Sequence, residues 1–408
     1  SSTLAGSDPL SELFDGSIDE VLIFNRSLNT TQIKQIYDDG VAGRSPQKIV
    51  SAGLRAGDVW QSCVTPNDAI VDGATTCSNN VTISSALACG DTITASKTMI
   101  SDLSGAGGCF TFGANDIALN CNGYKITYDT SGMGNVSAIT AVGKRNVTVQ
   151  NCFIQDGNAT GPSAGITNGG SFGYGINFTG TNFSVIRNNT ILTNGSNNNY
   201  GILLQTSLYN LITNNSVNTQ GSADTNHGMY FTTIASLNNV THNVIRTNGT
   251  GSNNGVETTT SGNVTFFNNT ITVRGTTAGS SAIAFGSSSN NMTAERNLLN
   301  VISTAGNSQG IIAFVATQTR ALRNTIIASG GPEGDVRGIF MFFSNVMVAD
   351  GNNISINRHQ SSGIQFSSSN YLNATNNTIA VNGTQSDHGL FVSSANSLIF
   401  ADNNVSVT

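Results

Sequence analysis

The sequence predicts an all-β chain: a right-handed parallel β-helix (solenoid) of about 11–12 coils, preceded by a short N-terminal strand–helix segment. Three observations predict it. A pattern recurs about every 27 residues. Apolar residues alternate with period two inside each repeat, and asparagine returns at one fixed position of it.

The first column is a glycine followed by an apolar residue: Gly175-Ile176, Gly201-Ile202, Gly228-Met229, Gly255-Val256, Gly310-Ile311, Gly338-Ile339, Gly363-Ile364 and Gly389-Leu390. Ala282-Ile283 fills the missing step. A second column stands two residues after the apolar one and includes Phe178, Leu204, Phe231, Phe285 and Phe366. Period two places both columns on the inner face of a strand. The third column is Asn189, Asn215, Asn243, Asn269, Asn297, Asn324, Asn353, Asn377 and Asn404, often preceded by another Asn. Propeller blades and helical repeats need about 33 to 50 residues. A leucine-rich repeat would show regular Leu spacing. A coil of three short strands and three turns accounts for the period, and parallel crossovers of one hand make the stack right-handed.

Physical chemistry gives these columns their reasons. Asn tolerates the left-handed backbone of a sharp bend. Its amide both donates and accepts, so stacked Asn side chains can form a ladder from coil to coil. The Gly column is read as another corner.

Composition narrows the setting. The 408 residues include 45 Gly and 53 Asn, are 38% apolar and only 10% charged. Enough apolar side chains are present to bury a core, and low charge argues against disorder. Formal charge is −6, without a Lys/Arg cluster, which excludes nucleic acid as a partner. No apolar run is long enough to span a membrane. All six cysteines lie between Cys63 and Cys152 without CxxC-type pairs, which favours disulfides in an oxidising compartment over a metal site. Candidate N-glycosylation sequons begin at Asn80, Asn135, Asn158, Asn194, Asn248 and Asn382.

Residues 61–145 read as the disulfide-stapled start of the stack and 146–408 as the repeated coils. The segments Cys89-Gly-Asp-Thr-Ile-Thr and Ala118-Leu-Asn-Cys-Asn-Gly-Tyr-Lys-Ile126 are strand-like. This run resembles the amino-terminal part of right-handed β-helix surface proteins of pectate-lyase-like architecture, frequent among archaeal secreted proteins. The resemblance covers roughly 85–408. Cys121 and Cys152 follow Asn120 and Asn151 in the phase of the later Asn pairs, so they stand one coil apart, within disulfide range. That gives the pair Cys121–Cys152. Sequence proximity gives Cys63–Cys77 and Cys89–Cys109.

Residues 1–44 differ, and 45–60 read as a linker. The run Phe14 to Leu28 alternates as a strand. Thr30 or Thr31 can cap a short helix with Ile33, Ile36 and Tyr37 on one face, ended by Gly40. This resembles the last strand and helix of a laminin-G-like (concanavalin-type) domain, of which only that carboxy-terminal piece is present. At the other end the sequence stops at Thr408 in mid-coil, without a visible cap.

Chemistry is sparse. Hydrolysis of a glycoside needs two carboxylates about 5–9.5 Å apart. The acids after 146 fall mostly one per coil and out of register. Asp224 with His227, and Asp387 with His388, each precede a Gly of the first column, six coils apart, and read as polar corners. Glu333 and Asp335 sit in a turn. Arg246, Arg274, Arg296, Arg320, Arg323, Arg337 and Arg358 could line one face and meet acidic glycans. No catalytic residue, metal or cofactor is expected. The sequence therefore points to an extracellular, cell-surface structural or adhesive protein, a subunit of a filament, sheath or stalk. Its partners would be copies of itself, joined head-to-tail or by strand addition, or other surface proteins. The alternative is a carbohydrate-active enzyme or a glycan-binding module on the same fold.

Overall fold

The computed structural model describes residues 27–41, 58–64, 66, 71, 73–83, 86–132, 136–157, 173–195, 198–221, 225–276, 279–331, 334–358, 360–383 and 386–408. The chain divides into two compact units, Ser1–Ala86 and Leu87–Thr408.

In the first unit a helix spans Thr30–Val41. Its cap is Asn29 rather than Thr30 or Thr31. The Asn29 Oδ1 accepts the Gln32 N–H at 2.9 Å, and the Gln32 Oε1 accepts the Asn29 N–H at 2.9 Å. Those reciprocal bonds form a capping box. The expected laminin-G-like strand lies almost wholly outside the described residues. Two short antiparallel pairs follow, Val59–Trp60 with Val81–Thr82 and Cys63–Val64 with Thr76–Cys77. Cys63 and Cys77 stand directly opposite and are disulfide-bonded. Among the described residues the first strand of the parallel sheets is Asp91–Ile93.

The second unit is the right-handed parallel β-solenoid. Each coil adds one strand to each of three parallel 12-stranded sheets. Sheet I runs from Asp91–Ile93 to His388–Ser393, sheet II from Lys97–Thr98 to Asn396–Ala401, and sheet III from Leu103–Ser104 to Asn404–Val407. Register is one coil per step, as in Ile176↔Ile202, Ile186↔Ile212 and Ile191↔Val217. The inward columns are fully buried from Ile176 and Phe178 to Ile364 and Phe366. Each inward aliphatic contributes about 1.5–3 kcal/mol of burial, and the core is one continuous column.

The Gly column is not a corner. These glycines lie inside or at the edge of sheet I strands, and none of them has a positive φ. Their smallness serves close approach. A Cβ on Gly201 would sit 2.2 Å from Val217 Cγ1, and one on Gly228 2.3 Å from Ile245 Cγ2. The sheet III aliphatic of the same coil packs onto the bare backbone.

The bend from sheet II to sheet III holds the asparagine ladder. A left-handed residue, such as Asn214, His242 or Asn268, precedes each ladder Asn. The Asn243 Oδ1 accepts the Asn215 backbone N–H at 2.9 Å and its Nδ2–H at 3.0 Å. The Asn243 Nδ2 donates to Asn269 Oδ1 at 3.0 Å and to the Ile212 carbonyl at 2.9 Å. Two members differ from the sequence reading: the ladder passes through Asn352 and Asn403, not Asn353 and Asn404. In those coils Gly351 and Asp402 take the left-handed bend, so the first Asn of each pair is the ladder residue and the second is the exposed first residue of the next strand. Upstream, the Cys152 N–H donates to Asn189 Oδ1 at 3.0 Å. Cys152 thus occupies the ladder position, and it is bonded to Cys121 across a Cα separation of 4.6 Å. Cys89 and Cys109 form the third disulfide. Covalent staples stand where the ladder stops.

Candidate groove on the outer face of sheet I

Outward positions of sheet I alternate with the buried columns. One outward column immediately precedes the Gly column: Tyr174, Tyr200, His227, Asn254, Ser281, Gln309, Arg337, Ser362 and His388. A second contains Leu203, Tyr230, Glu257, Ala284, Ile312, Phe340, Gln365 and Phe391. Neither repeats a residue type as the inner columns do. Several of these outward side chains are nevertheless nearly buried: Tyr200 is 8% exposed, His227 3% and Gln309 5%. The face is therefore concave. A groove of about 540 Å³ runs along it, lined by His227, Asn254, Glu257, Gln309, Phe314 and Phe340 among others. A smaller pocket of about 190 Å³ follows, lined by Arg337, Gln365, His388 and Phe391. Tyr174 and His388 are eight strand steps apart, about 38 Å at the spacing of paired strands.

At one end the rings of Tyr174, Tyr200 and His227 stack at centroid spacings of 5.3 Å. Tyr230 leans on Tyr200 at 5.0 Å, with its hydroxyl 3.0 Å from Thr259 Oγ1. Burial, and to a lesser degree the neighbouring Tyr230, pushes the Tyr174 hydroxyl up to about 12. Burial raises Tyr200 further. Both phenols stay protonated at neutral pH and offer hydroxyls, not phenolates.

His227 Nε2 lies 2.9 Å from Glu257 Oε2. His227 Nδ1 accepts the Asn254 N–H at 3.1 Å, which places the ring proton on Nε2, aimed at the carboxylate. The Asn254 Nδ2 donates to the same Glu257 oxygen at 2.8 Å. Burial alone would raise the Glu257 carboxyl. The hydrogen bond and charge of His227 and the Asn254 donor outweigh it and hold the carboxyl below its ordinary value. The polar chain continues: the Asn254 Oδ1 accepts the Ser281 N–H at 2.8 Å, and the Ser281 hydroxyl donates to Gln309 Oε1 at 2.9 Å. At the far end Arg337 lies 4.5 Å over the Phe340 ring and donates to Gln365 and to Asp335.

The sequence pointed to some of these residues but not to their partners. His227 is in the groove, yet its partner is Glu257 of the next coil; Asp224 lies outside the described residues. His388 lines the smaller pocket, whereas an oxygen of Asp387 accepts the Ser361 N–H at 2.8 Å. Asp335 pairs with Arg337, and Glu333 lies outside the described residues. The arginines do not share a face. Arg246 and Arg274 project from sheet III and Arg320 from sheet II. Arg296 and Arg323 flank Glu295 at the ladder bend, and Arg358 is buried. Only Arg337 reaches the groove. Of the sequons, Asn80, Asn248 and Asn382 are exposed and Asn194 is half-buried; Asn135 and Asn158 lie outside the described residues. Glu257 and Asp335 are three strand steps apart, about 14 Å, wider than a glycosidase pair. Among the described residues no group of three or more His, Cys, Asp or Glu could hold a metal.

No family model matches the sequence. No curated protein matches it either. Among solved structures, the chain is similar to the A-module of mannuronan C-5 epimerase AlgE4 from Azotobacter vinelandii, at 14% identity and a TM-score of 0.41, covering 79% of this chain and 82% of that one. It is similar to the periplasmic alginate epimerase AlgG at 12% identity and a TM-score of 0.44, over 76% and 78% of the two chains. It is similar to PfbA, a surface adhesin of Streptococcus pneumoniae, at 10% identity and a TM-score of 0.41, over 74% and 83%. At these identities the likeness concerns the coiled fold alone.

Proposed function

We propose that the chain is an extracellular glycan-binding β-helix that holds an extended saccharide along the outer face of sheet I. One observation carries this reading: the concave outer face breaks the repeat and carries a continuous line of hydroxyl, amide and carboxylate groups between aromatic rings. Binding sites combine a concave apolar wall with a few oriented polar groups, and tyrosine supplies both an apolar ring and a polar tip. Three disulfides fit an oxidising compartment. Adhesion through the groove is the form of surface role we favour. The filament, sheath or stalk reading rests on the regularity of the stack, and the ladder bonds that make it regular are satisfied within one chain.

A second reading uses the same residues. Glu257, oriented by His227 and Asn254, is a positioned carboxylate that could act on a bound glycan. Titration of the purified chain against a panel of soluble oligosaccharides tests the first reading, with product analysis for the second. Binding that Gln309→Ala weakens supports the groove. Absence of binding across neutral and acidic glycans contradicts it.

A further inference from the structure

We infer that the occupant of this groove is an uncharged, hydroxyl-rich glycan, and that polyuronates are disfavoured. The inference rests on the glycan reading and specifies its chemistry.

Electrostatics along the face carry it. Among the described residues, the groove and its end pocket hold three formal charges: Glu257, Asp335 and Arg337. Arg337 is already committed. It is paired with Asp335, bonded to Gln365 and stacked on Phe340, so its charge is neutralised locally. Among the described residues Glu257 has no Lys or Arg paired with it. Its Oε2 takes the His227 and Asn254 donors. Arg246, Arg274 and Arg320 project from sheets III and II, Arg296 and Arg323 from the ladder bend, and Arg358 is buried.

A uronate carboxylate seated here would face the Glu257 carboxylate at partly buried depth, where charges are poorly screened. An uncharged sugar meets only partners it can satisfy. Tyr, Thr and Ser hydroxyls, Asn and Gln amides and the Glu257 oxygens match its alternating donors and acceptors. The groove runs across the strands, along the stack axis, so an extended chain meets a fresh coil at each step.

The test is calorimetric titration of the full chain with matched neutral and uronate oligosaccharides of equal length and linkage. Neutral oligomers are expected to bind about a hundredfold more tightly at low salt. Raising salt from about 0.01 M to about 0.3 M should narrow the gap by strengthening uronate binding, because like-charge repulsion is screened. Glu257→Gln should raise uronate affinity about tenfold or more. The salt series on the unaltered chain keeps the question decidable should Glu257→Gln fold poorly. Uronates binding as well as neutral sugars, or binding that weakens with salt, overturns the inference and leaves the glycan groove standing. No binding by either set overturns both.

Discussion

The ladder bend and the outer face of sheet I lie on the same coils and obey opposite rules. At the bend each coil presents the same residue in the same bonds, from Asn189 to Asn403. On the outer face a column runs Tyr, Tyr, His, Asn, Ser, Gln, Arg, Ser, His, with no one residue kept from coil to coil. An internal contact in a stack must be satisfied identically at each step, because every coil sees the same neighbours. A face turned to solvent has no such constraint. A face that is polar, aromatic, concave and non-repeating is accordingly where a ligand would be read.

Substitutions can break that comparison. The largest effect is expected from Asn243→Leu. It takes the acceptor from the Asn215 N–H in the interior, and one hydrogen bond each from the Asn215 Nδ2, which keeps the Ile186 and Thr213 carbonyls, and from the Ile212 carbonyl. Unpaired buried groups cost about 1–3 kcal/mol each, so denaturant unfolding should report a loss of about 3–5 kcal/mol. A loss within 0.5 kcal/mol, the range of ordinary surface substitutions, would show that the ladder is ornament. Next is Gly228→Val, which drives a side chain into Ile245 and the Gly255 carbonyl. Overpacking of this kind costs about 1–3 kcal/mol, which denaturant unfolding should report.

The smallest effect is a pH dependence. The folded Glu257 carboxyl lies below its ordinary value of 4.5. Its stabilising contribution is therefore fully present above that value and is lost as pH falls through the lower folded value. Melting temperature measured downward from pH 5 should fall less steeply in Glu257→Gln than in the unaltered chain. Parallel curves would place Glu257 outside the His227 network.

How much of this was legible follows the same division. Inner columns could be read because nearly every coil keeps the same character at a position, apolar, glycine or asparagine. Asn352 and Asn403 were assigned one residue late because the left-handed bend accepts Gly351 or Asp402 as well as Asn, and a double Asn does not reveal which member is the ladder. The Gly column was taken for a bend because glycine serves close approach and left-handed backbone alike. His227 was noticed through its position before a Gly, but Glu257, thirty residues later, gave no local signal; their contact crosses coils. A departure from repetition at that position was the available clue. The arginines follow neither the period nor one phase of the repeat, so they scatter over several faces.

One paired measurement tests the central claim most directly: thermal melting and glycan affinity of Tyr230→Ala beside Asn243→Leu. Tyr230 projects from sheet I beside the groove, half-buried, with its hydroxyl 3.0 Å from the groove-lining Thr259, while Asn243 is sealed in the bend. Tyr230→Ala should lose at least about tenfold in affinity, roughly 1.4 kcal/mol, with melting close to that of the unaltered chain. Asn243→Leu should melt far lower. If Tyr230→Ala instead keeps full affinity, or melts as low as Asn243→Leu, the non-repeating face is part of the scaffold and not a binding surface.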